Sequence, residues 1–309
     1  MKKKPYKFVD IFAGIGGFHI ALHSLNVECV FASEKDFFAR KTYFDNFFEK
    51  NPSLFEDCNF NDDILQVNPG DIPDFDILCA GFPCQPFSQA GFKKGFDEDH
   101  ESRGNMFFIL RDIIKAKRPK AIFLENVRHL EKHDNGRTFE IIKNTVEQEL
   151  GYSFNYQIVK ASDHGLPQHR PRLYMVGFRD ESTPDSLFKF PKPEPLEMTM
   201  SDIFNAECPK KVGFTLRVGG RGSGLNDRRN WDSYLVNGKE KRLTVIEGKK
   251  MMGLPCDFIF NVSETQAMKQ LGNSVAVNAI RATASKIIEY LDLHYTDHNE
   301  CKRKDLVSA

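Results

Sequence analysis

Cysteine is sparse in this 309-residue chain and nowhere paired: the seven (positions 29, 58, 79, 84, 208, 256 and 301) show no Cys-x-x-Cys spacing. An odd, dispersed set argues against a disulfide framework and against a metal site of the zinc type, and it suits a reducing cytoplasm. Long hydrophobic runs are missing too. No apolar stretch reaches the length, about 20 residues, that crosses a bilayer. Met1-Lys2-Lys3-Lys4 leads straight into a short strand-like segment and not into a secretory apolar region. No membrane partner is expected, and the expected location is cytoplasmic. Net charge is also lacking, with 43 Lys plus Arg against 43 Asp plus Glu, so the overall balance announces no nucleic-acid partner. No internal repeat is visible.

What is present points to a globular enzyme. Hydrophobic residues at 40% and charged residues at 28% are the proportions of a soluble domain. The length suggests one large domain plus a smaller one. Charge is unevenly distributed: from Lys210 to Arg242 there are nine basic residues (210, 211, 217, 221, 228, 229, 239, 241, 242) against three acidic ones (227, 232, 240), an excess of six.

The pattern predicts strands at 6–12, 27–34, 75–80, 121–124, 154–160 and 172–178. Helices are expected at 17–25, 36–49, near 105–117 and near 137–149. Such alternation means βαβ units, hence an α/β fold with a doubly wound, mostly parallel sheet. From Pro184 the character changes. Pro191, Pro193 and Pro195 interrupt regular structure, and Gly219-Gly220-Arg221-Gly222-Ser223-Gly224 cannot be helical. Helical pattern returns at Ser274–Leu291. The expected partition is a catalytic and cofactor-binding domain of 1–184 plus 264–309, with a smaller domain of 185–263 inserted.

Three places carry chemistry. Gly81-Phe82-Pro83-Cys84-Gln85-Pro86-Phe87-Ser88 follows the apolar run Phe75-Asp76-Ile77-Leu78-Cys79-Ala80, so Cys84 falls just past a strand's carboxyl end, where open parallel sheets place reacting groups. The two prolines hold the thiol on a rigid loop. A cysteine packed as a small hydrophobe is the plainer alternative, and it applies to Cys79. Phe12-Ala13-Gly14-Ile15-Gly16-Gly17, between the first strand and helix, lets backbone approach a ligand at a helix N-terminus. Its GxGG spacing and the lack of a basic residue for pyrophosphate tilt it away from dinucleotides. Glu34 is placed to accept ribose hydroxyls and Asp63 an adenine amino group; each reads equally as a solvated strand-end carboxylate. Lastly, Glu125-Asn126-Val127 closes a buried strand, and Gln168-His169-Arg170-Pro171-Arg172 sets two guanidiniums two residues apart, on one face of an extended chain. A thiol, a carboxylate and paired arginines suit covalent addition to an electron-poor ring, with the carboxyl group at the ring nitrogen and arginine at an exocyclic oxygen.

These blocks, with Gly272-Asn273-Ser274-Val275, occur in the order and spacing of the cytosine-C5 DNA methyltransferases of bacterial restriction-modification type, which the chain resembles from about Lys7 to Leu291. The resemblance implies that Cys84 adds to cytosine C6, that Glu125 serves N3, and that Arg170 and Arg172 support it around the base. It implies S-adenosylmethionine as cofactor, lined by Phe12, Gly14, Gly17, Glu34, Asp63, Asn273 and Ser274. Arg242-Leu243-Thr244-x-x-Glu247 and Met252-Gly253-Leu254-Pro255 resemble the block that supports the recognition domain. Two departures are small: Asp62 stands where a glycine often precedes Asp63, and Ile246 replaces a frequent basic residue. The implied substrate is double-stranded DNA, methylated at a short specific sequence by an enzyme acting as a monomer, with a separate cognate restriction endonuclease as the other half of the system.

Gln85, Ser88 and Arg103 are expected to touch DNA, and 89–103 to form a lid over a flipped base, with an ordinary surface loop as the alternative. Arg217, Arg221, Arg228 and Arg229 are the candidates for reading bases in the major groove, against the alternative that they contact only phosphate. A tRNA cytosine methyltransferase of the same fold would carry a Cys-Phe-Thr triplet, which is missing. A decayed scaffold that only binds would not retain Cys84, Glu125, Arg170 and Arg172 together. A dinucleotide oxidoreductase leaves the thiol and both arginines unexplained.

Overall fold

The structure, a computed structural model, describes residues 4–83, 106–179 and 188–295. Cys84, Gln85, Ser88, Arg103 and the whole of 89–103 lie outside the described residues.

In chain order the elements are β1 (Lys7–Ile11), α1 (Gly17–His23), β2 (Glu28–Ser33), α2 (Phe37–Phe47), α3 (Ser53–Glu56), β3 (Phe60–Asn61), β4 (Ile77–Gly81), α4 (Met106–Lys117) and β5 (Ala121–Val127). They continue with α5 (Arg137–Asn144), β6 (Asn155–Lys160), β7 (Pro171–Phe178), α6 (Met200–Phe204), β8 (Ser233–Val236), β9 (Lys239–Arg242), α7 (Val245–Met252), α8 (Glu264–Asn273) and α9 (Val277–His294). Seven strands form one sheet in the order β3-β2-β1-β4-β5-β7-β6. All pairs from β3 to β5 are parallel, and β7 runs antiparallel to both its neighbours.

Strands buried on both faces explain the near-continuous apolar runs. Because side chains alternate, Phe8, Cys79 and Phe123 enter one apolar cluster with α1 and α9, while Val9, Leu78 and Ile122 enter another with α4 and α5. The first cluster runs on into Met200, Trp231, Tyr234, Leu243 and Met251 beyond the sheet. α9 packs against α1, and α7 against α8.

The chain winds from β1 toward β3 in one direction and from β4 toward β5 in the other. The winding reverses between β1 and β4, and a crevice opens at their carboxyl ends.

Local departures from the sequence reading have local causes. The strand expected at 121–124 continues to Val127, paired throughout with β7. The helix expected to 149 changes at Thr145 into a π-turn ending at Glu149. The last helix starts at Val277, because Ser274 is extended and caps α8 by returning its N–H to Gln270.

Candidate active site at the strand ends

A cavity of about 700 Å³ occupies the switch point, lined by residues at the carboxyl ends of β1, β2, β4 and β5 together with residues of 215–218 and α8. One end is made by the glycine turn and two carboxylates. Phe12 takes a left-handed φ of 59° and Gly14 one of 57°; for a bulky residue such as Phe12 this is a strained conformation of the kind that gathers at ligand sites. The Glu34 carboxylate accepts from the backbone N–H of Gly14 (2.8 Å) and of Asp36 (2.7 Å). Burial pushes its pKa up against those two bonds. Each oxygen keeps a further lone pair for a ligand donor. Asp63 accepts from Lys35 Nζ at 3.0 Å and from the backbone N–H of Leu65 at 3.2 Å, and the Lys35 bond, foremost, lowers its pKa.

Phe12, Gly14, Glu34, Asp63 and Asn273 all line the cavity. Gly17 and Ser274 stand behind its wall, against each other: a Cβ on Gly17 would lie 2.6 Å from Val275 Cγ2 and 3.1 Å from Ser274 Oγ. The missing side chain is what lets α1 approach the turn at 274–275.

The other end is built by β4, β5 and β7. Pro83, Glu125, Asn126, Arg170 and Arg172 face into it. Glu125 is buried and accepts from Arg172 Nε at 3.0 Å. Burial raises its pKa, opposed by the positive charges of Arg172 and Arg170. Asn126 donates to Phe82 O at 2.9 Å and accepts from the Val127 N–H at 2.8 Å, which fixes the loop leading to Pro83.

Arg170 behaves differently from Arg172. Only 2% exposed, it donates to Leu216 O (3.2 Å), to Gly272 O (3.0 Å) and to Ser274 O, while its Nε has no partner. Burial and then the like charge of Arg172 bring its pKa down to about 9, which still leaves it cationic at neutral pH. The sequence pairing placed two guanidiniums at one carboxylate. In the structure Arg172 contacts Glu125, and Arg170 bolts the start of the 217–231 segment to the Gly272-Asn273-Ser274 turn.

Among the recognition candidates, Arg217 borders the cavity. Arg229 is paired with Asp227 at 2.7 Å, Arg221 with Glu264 at 3.0 Å, and Arg228 is exposed.

The sequence reading passed over four residues here. Lys35, Lys269 and Gln270 line the cavity, and Lys269 is paired with Asp36 at 3.0 Å. The position of Lys269 and Gln270, just ahead of Gly272-Asn273, was the available signal. Asp10 is fully buried beneath the glycine turn, and its carboxyl oxygens have no well-formed hydrogen bond, the backbone N–H of His19 being the group that approaches them. Burial, and then Glu34, push its pKa well up. A charged residue inside Phe8-Val9-Asp10-Ile11 was its signal. Among the described residues no group of three His, Cys, Asp or Glu is placed to hold a metal ion, and no helix is long and apolar enough to cross a membrane.

The open sheet with its antiparallel seventh strand is an α/β methyltransferase fold. A crystal structure of a Spodoptera frugiperda DNMT2 mutant superposes with a TM-score of 0.67 at 21% identity, covering 92% of this chain and 99% of that one. A putative DNA modification methyltransferase from an E. coli prophage superposes with a TM-score of 0.67 at 17% identity, covering 93% and 99%. The profile of the C-5 cytosine-specific DNA methylases matches residues 6–216 and 211–289. The Type II methyltransferase M.HhaI of Haemophilus parahaemolyticus is 38% identical over 91% of this chain and 94% of its own. M.SsoII of Shigella sonnei is 42% identical over 93% and 81%. This chain belongs to the C-5 cytosine-specific DNA methylase family, and its activity is that of a DNA cytosine-5 methyltransferase.

Proposed function

We propose that the protein methylates C5 of one cytosine within a short, specific double-stranded DNA sequence. S-adenosylmethionine is the methyl donor in this reading, and Cys84 the covalent nucleophile. The protein then serves as the modification enzyme of a restriction-modification system, as the Type II names of its relatives suggest. Residues 1–184 plus 264–309 form the catalytic part and 185–263 the target-recognition part.

The observation that carries the reading is a single cavity with acceptors for a nucleoside at one end and Glu125, held by Arg172 beside Pro83, at the other. The donor set fits S-adenosylmethionine. Glu34 and Asp63 offer acceptors to hydroxyl and amino groups and would repel a pyrophosphate, while the nearby Lys35 and Lys269 are already paired with Asp63 and Asp36. When bound, S-adenosylmethionine supplies an electrophilic methyl group.

The rest is done by the chain. A cytosine inside a duplex is stacked, so it must swing out to reach the cavity. The Cys84 thiolate forms a bond to C6, and the ring's electron pair moves to C5. Glu125, whose burial favours the protonated carboxyl, gives N3 the proton that this addition requires. Arg172 orients that carboxyl. C5 takes the methyl group as the sulfonium carbon–sulfur bond breaks to leave a thioether; loss of the C5 proton to water, departure of the thiolate and return of the N3 proton to Glu125 then restore the ring.

Incubation with S-adenosylmethionine and duplex DNA carrying 5-fluorocytosine tests this, since fluorine cannot leave as a proton does. The parent protein is expected to form a covalent adduct and the Cys84→Ser variant none. An adduct formed by Cys84→Ser, or methyl transfer to tRNA in preference to DNA, would overturn the proposal.

A further inference from the structure

The glycine-rich segment is held by one buried carboxylate. β8 and β9 form a hairpin whose turn, Asn237-Gly238, has φ of 47° and 72°, the left-handed pair that a tight two-residue hairpin turn needs. At the open end of this hairpin Ser233 pairs with Arg242, which brings Asp232, immediately before β8, beside the last residue of β9. Asp232 has no solvent exposure. Its two oxygens accept from Arg242 Nη1 at 3.2 Å each, and Arg221 Nε lies 3.5 Å away. The Gly222 N–H also reaches Asp232, at 3.4 Å.

The same two arginines grip the backbone around them. Arg242 donates to Gly222 O and Ser223 O (3.3 and 3.1 Å), and Arg221 to Leu243 O (2.7 Å). Trp231, the one tryptophan of the chain, is 1% exposed and gives its indole N–H to Gly219 O at 3.0 Å. A side chain on Gly219 or Gly224 would meet nothing within 4 Å, while Gly220 and Gly222 hold left-handed φ of 77° and 99° that favour glycine by themselves. Packing inside the chain therefore does not call for glycine at 219 or 224, and bare backbone there suits close approach of another molecule.

We infer that Asp232 is a positioning residue for target choice. It holds Gly219–Gly224 in its DNA-meeting shape, with Arg221 and Arg242 engaged as its counter-ions. Arg217 and Arg228, exposed and in no ion pair among the described residues, are left to meet the DNA. This rests on the reading that 217–231 meets the target sequence. It divides the four arginines: Arg221 shapes the segment, and Arg229 is tied to Asp227.

Trp231 allows the segment to be watched without DNA. Full-length protein carrying Asp232→Asn is compared with the parent in acrylamide quenching of Trp231. Methylation of plasmid DNA by S-adenosylmethionine, read by bisulfite sequencing, then gives the ratio of preferred to near-matching sites. The variant is expected to show several-fold easier quenching and about a tenfold loss of that ratio, the size of one mismatched base pair, with KM for S-adenosylmethionine unchanged. Arg221→Ala should reproduce both changes. Arg217→Ala and Arg228→Ala should lower methylation with Trp231 unmoved.

Unchanged quenching and unchanged choice in Asp232→Asn overturn the inference. Easier quenching with unchanged choice overturns instead the reading that this segment meets DNA. Arg221→Ala behaving like Arg228→Ala, with Trp231 unmoved, overturns the division of the arginines. If Asp232→Asn does not fold, Arg242→Gln leaves the carboxylate one counter-ion and must give the same pair of changes.

Discussion

Replacing Gly272 by alanine isolates the contact between the recognition segment and the turn beside the cavity. The added Cβ would lie 2.6 Å from Arg217 C, 2.7 Å from Arg217 O and 2.8 Å from Val218 N. All three are backbone atoms, which cannot rotate aside as a side-chain tip does. Relief to ordinary contact at 3.4 Å requires the segments to separate by 0.8 Å, the difference between 3.4 and 2.6. Arg170 resists that movement, because one guanidinium holds both Gly272 O and Leu216 O. Two effects compete. Alanine is the better helix former at the end of α8 by about 1 kcal/mol, while overpacking a close contact costs about 1–3 kcal/mol. With backbone on both sides the overpacking falls in the upper half of that range, about 2–3 kcal/mol, and wins, for a net loss of about 1–2 kcal/mol and a fall in melting temperature of several degrees. Asn273 moves with its neighbour, so KM for S-adenosylmethionine should rise as well. Differential scanning calorimetry and initial-rate methylation read the two effects. A melting temperature equal to or above the parent's, with parental KM, would refute the reasoning by showing that the segments do not touch.

Glu125→Gln keeps the shape of the carboxyl group and loses its transferable proton, so kcat should fall by about 10²–10⁴-fold with little change in melting temperature. In the proposed mechanism the protonated carboxyl is the donor, and its pKa is raised by burial, so the parent should lose activity as pH rises through that raised value; a Gln variant with the same alkaline limb would exclude Glu125 as its source. His19 is predicted to set part of the acid limit of stability. Burial foremost, then His23 and Lys50, bring its folded pKa to about 3, against about 6.5 unfolded. The unfolded chain therefore binds the extra proton between those values, so stability is complete above pH 6.5 and falls as pH drops. About 3 kcal/mol should be gone by pH 4.5. Urea midpoints from pH 4 to 8 should fall less steeply in acid for His19→Gln; an unchanged acid slope would clear His19 of the effect.

The sheet could be read from the chain because its strands are short apolar runs that end at chemistry. Phe8 to Ile11, Ile77 to Ala80 and Ala121 to Leu124 are each followed by the glycine turn, the Pro83 loop or Glu125. Packing across distance was much less legible. Arg170 and Arg172 have the same spacing and chemistry on paper, yet the acceptors that claim Arg170 come from positions 46 to 104 residues away. Part of the local charge is likewise engaged inside the protein. The excess of six between Lys210 and Arg242 counts Arg221, Arg229 and Arg242, which Asp232, Glu264, Asp227 and Glu240 hold within the protein. α7 and α8, which lie on either side of the expected boundary at 263/264, pack together. Composition registers where the chain is irregular and is blind to which helix another one buries.

That packing has a consequence for how the recognition segment and the reacting end stay in register. In an extended chain alternate residues share a face. Gln168 gives its amide to Met251 O and accepts from the Leu216 N–H. Arg170 holds Leu216 O and Gly272 O, and Arg172 holds Glu125. Three alternate side chains of one short segment thus fix α7, the entry to 217–231, the turn after α8 and the carboxylate at the reacting end. Gln168 and Arg170 take the N–H and the C=O of the same residue, so Leu216 cannot shift without breaking two bonds. With Arg170 at 2% exposure and Gln168 at none, water cannot replace those bonds cheaply. A displaced 217–231 segment should therefore disturb Glu125 through β7, and under the proposed function this would tie target choice to the rate of the chemical step.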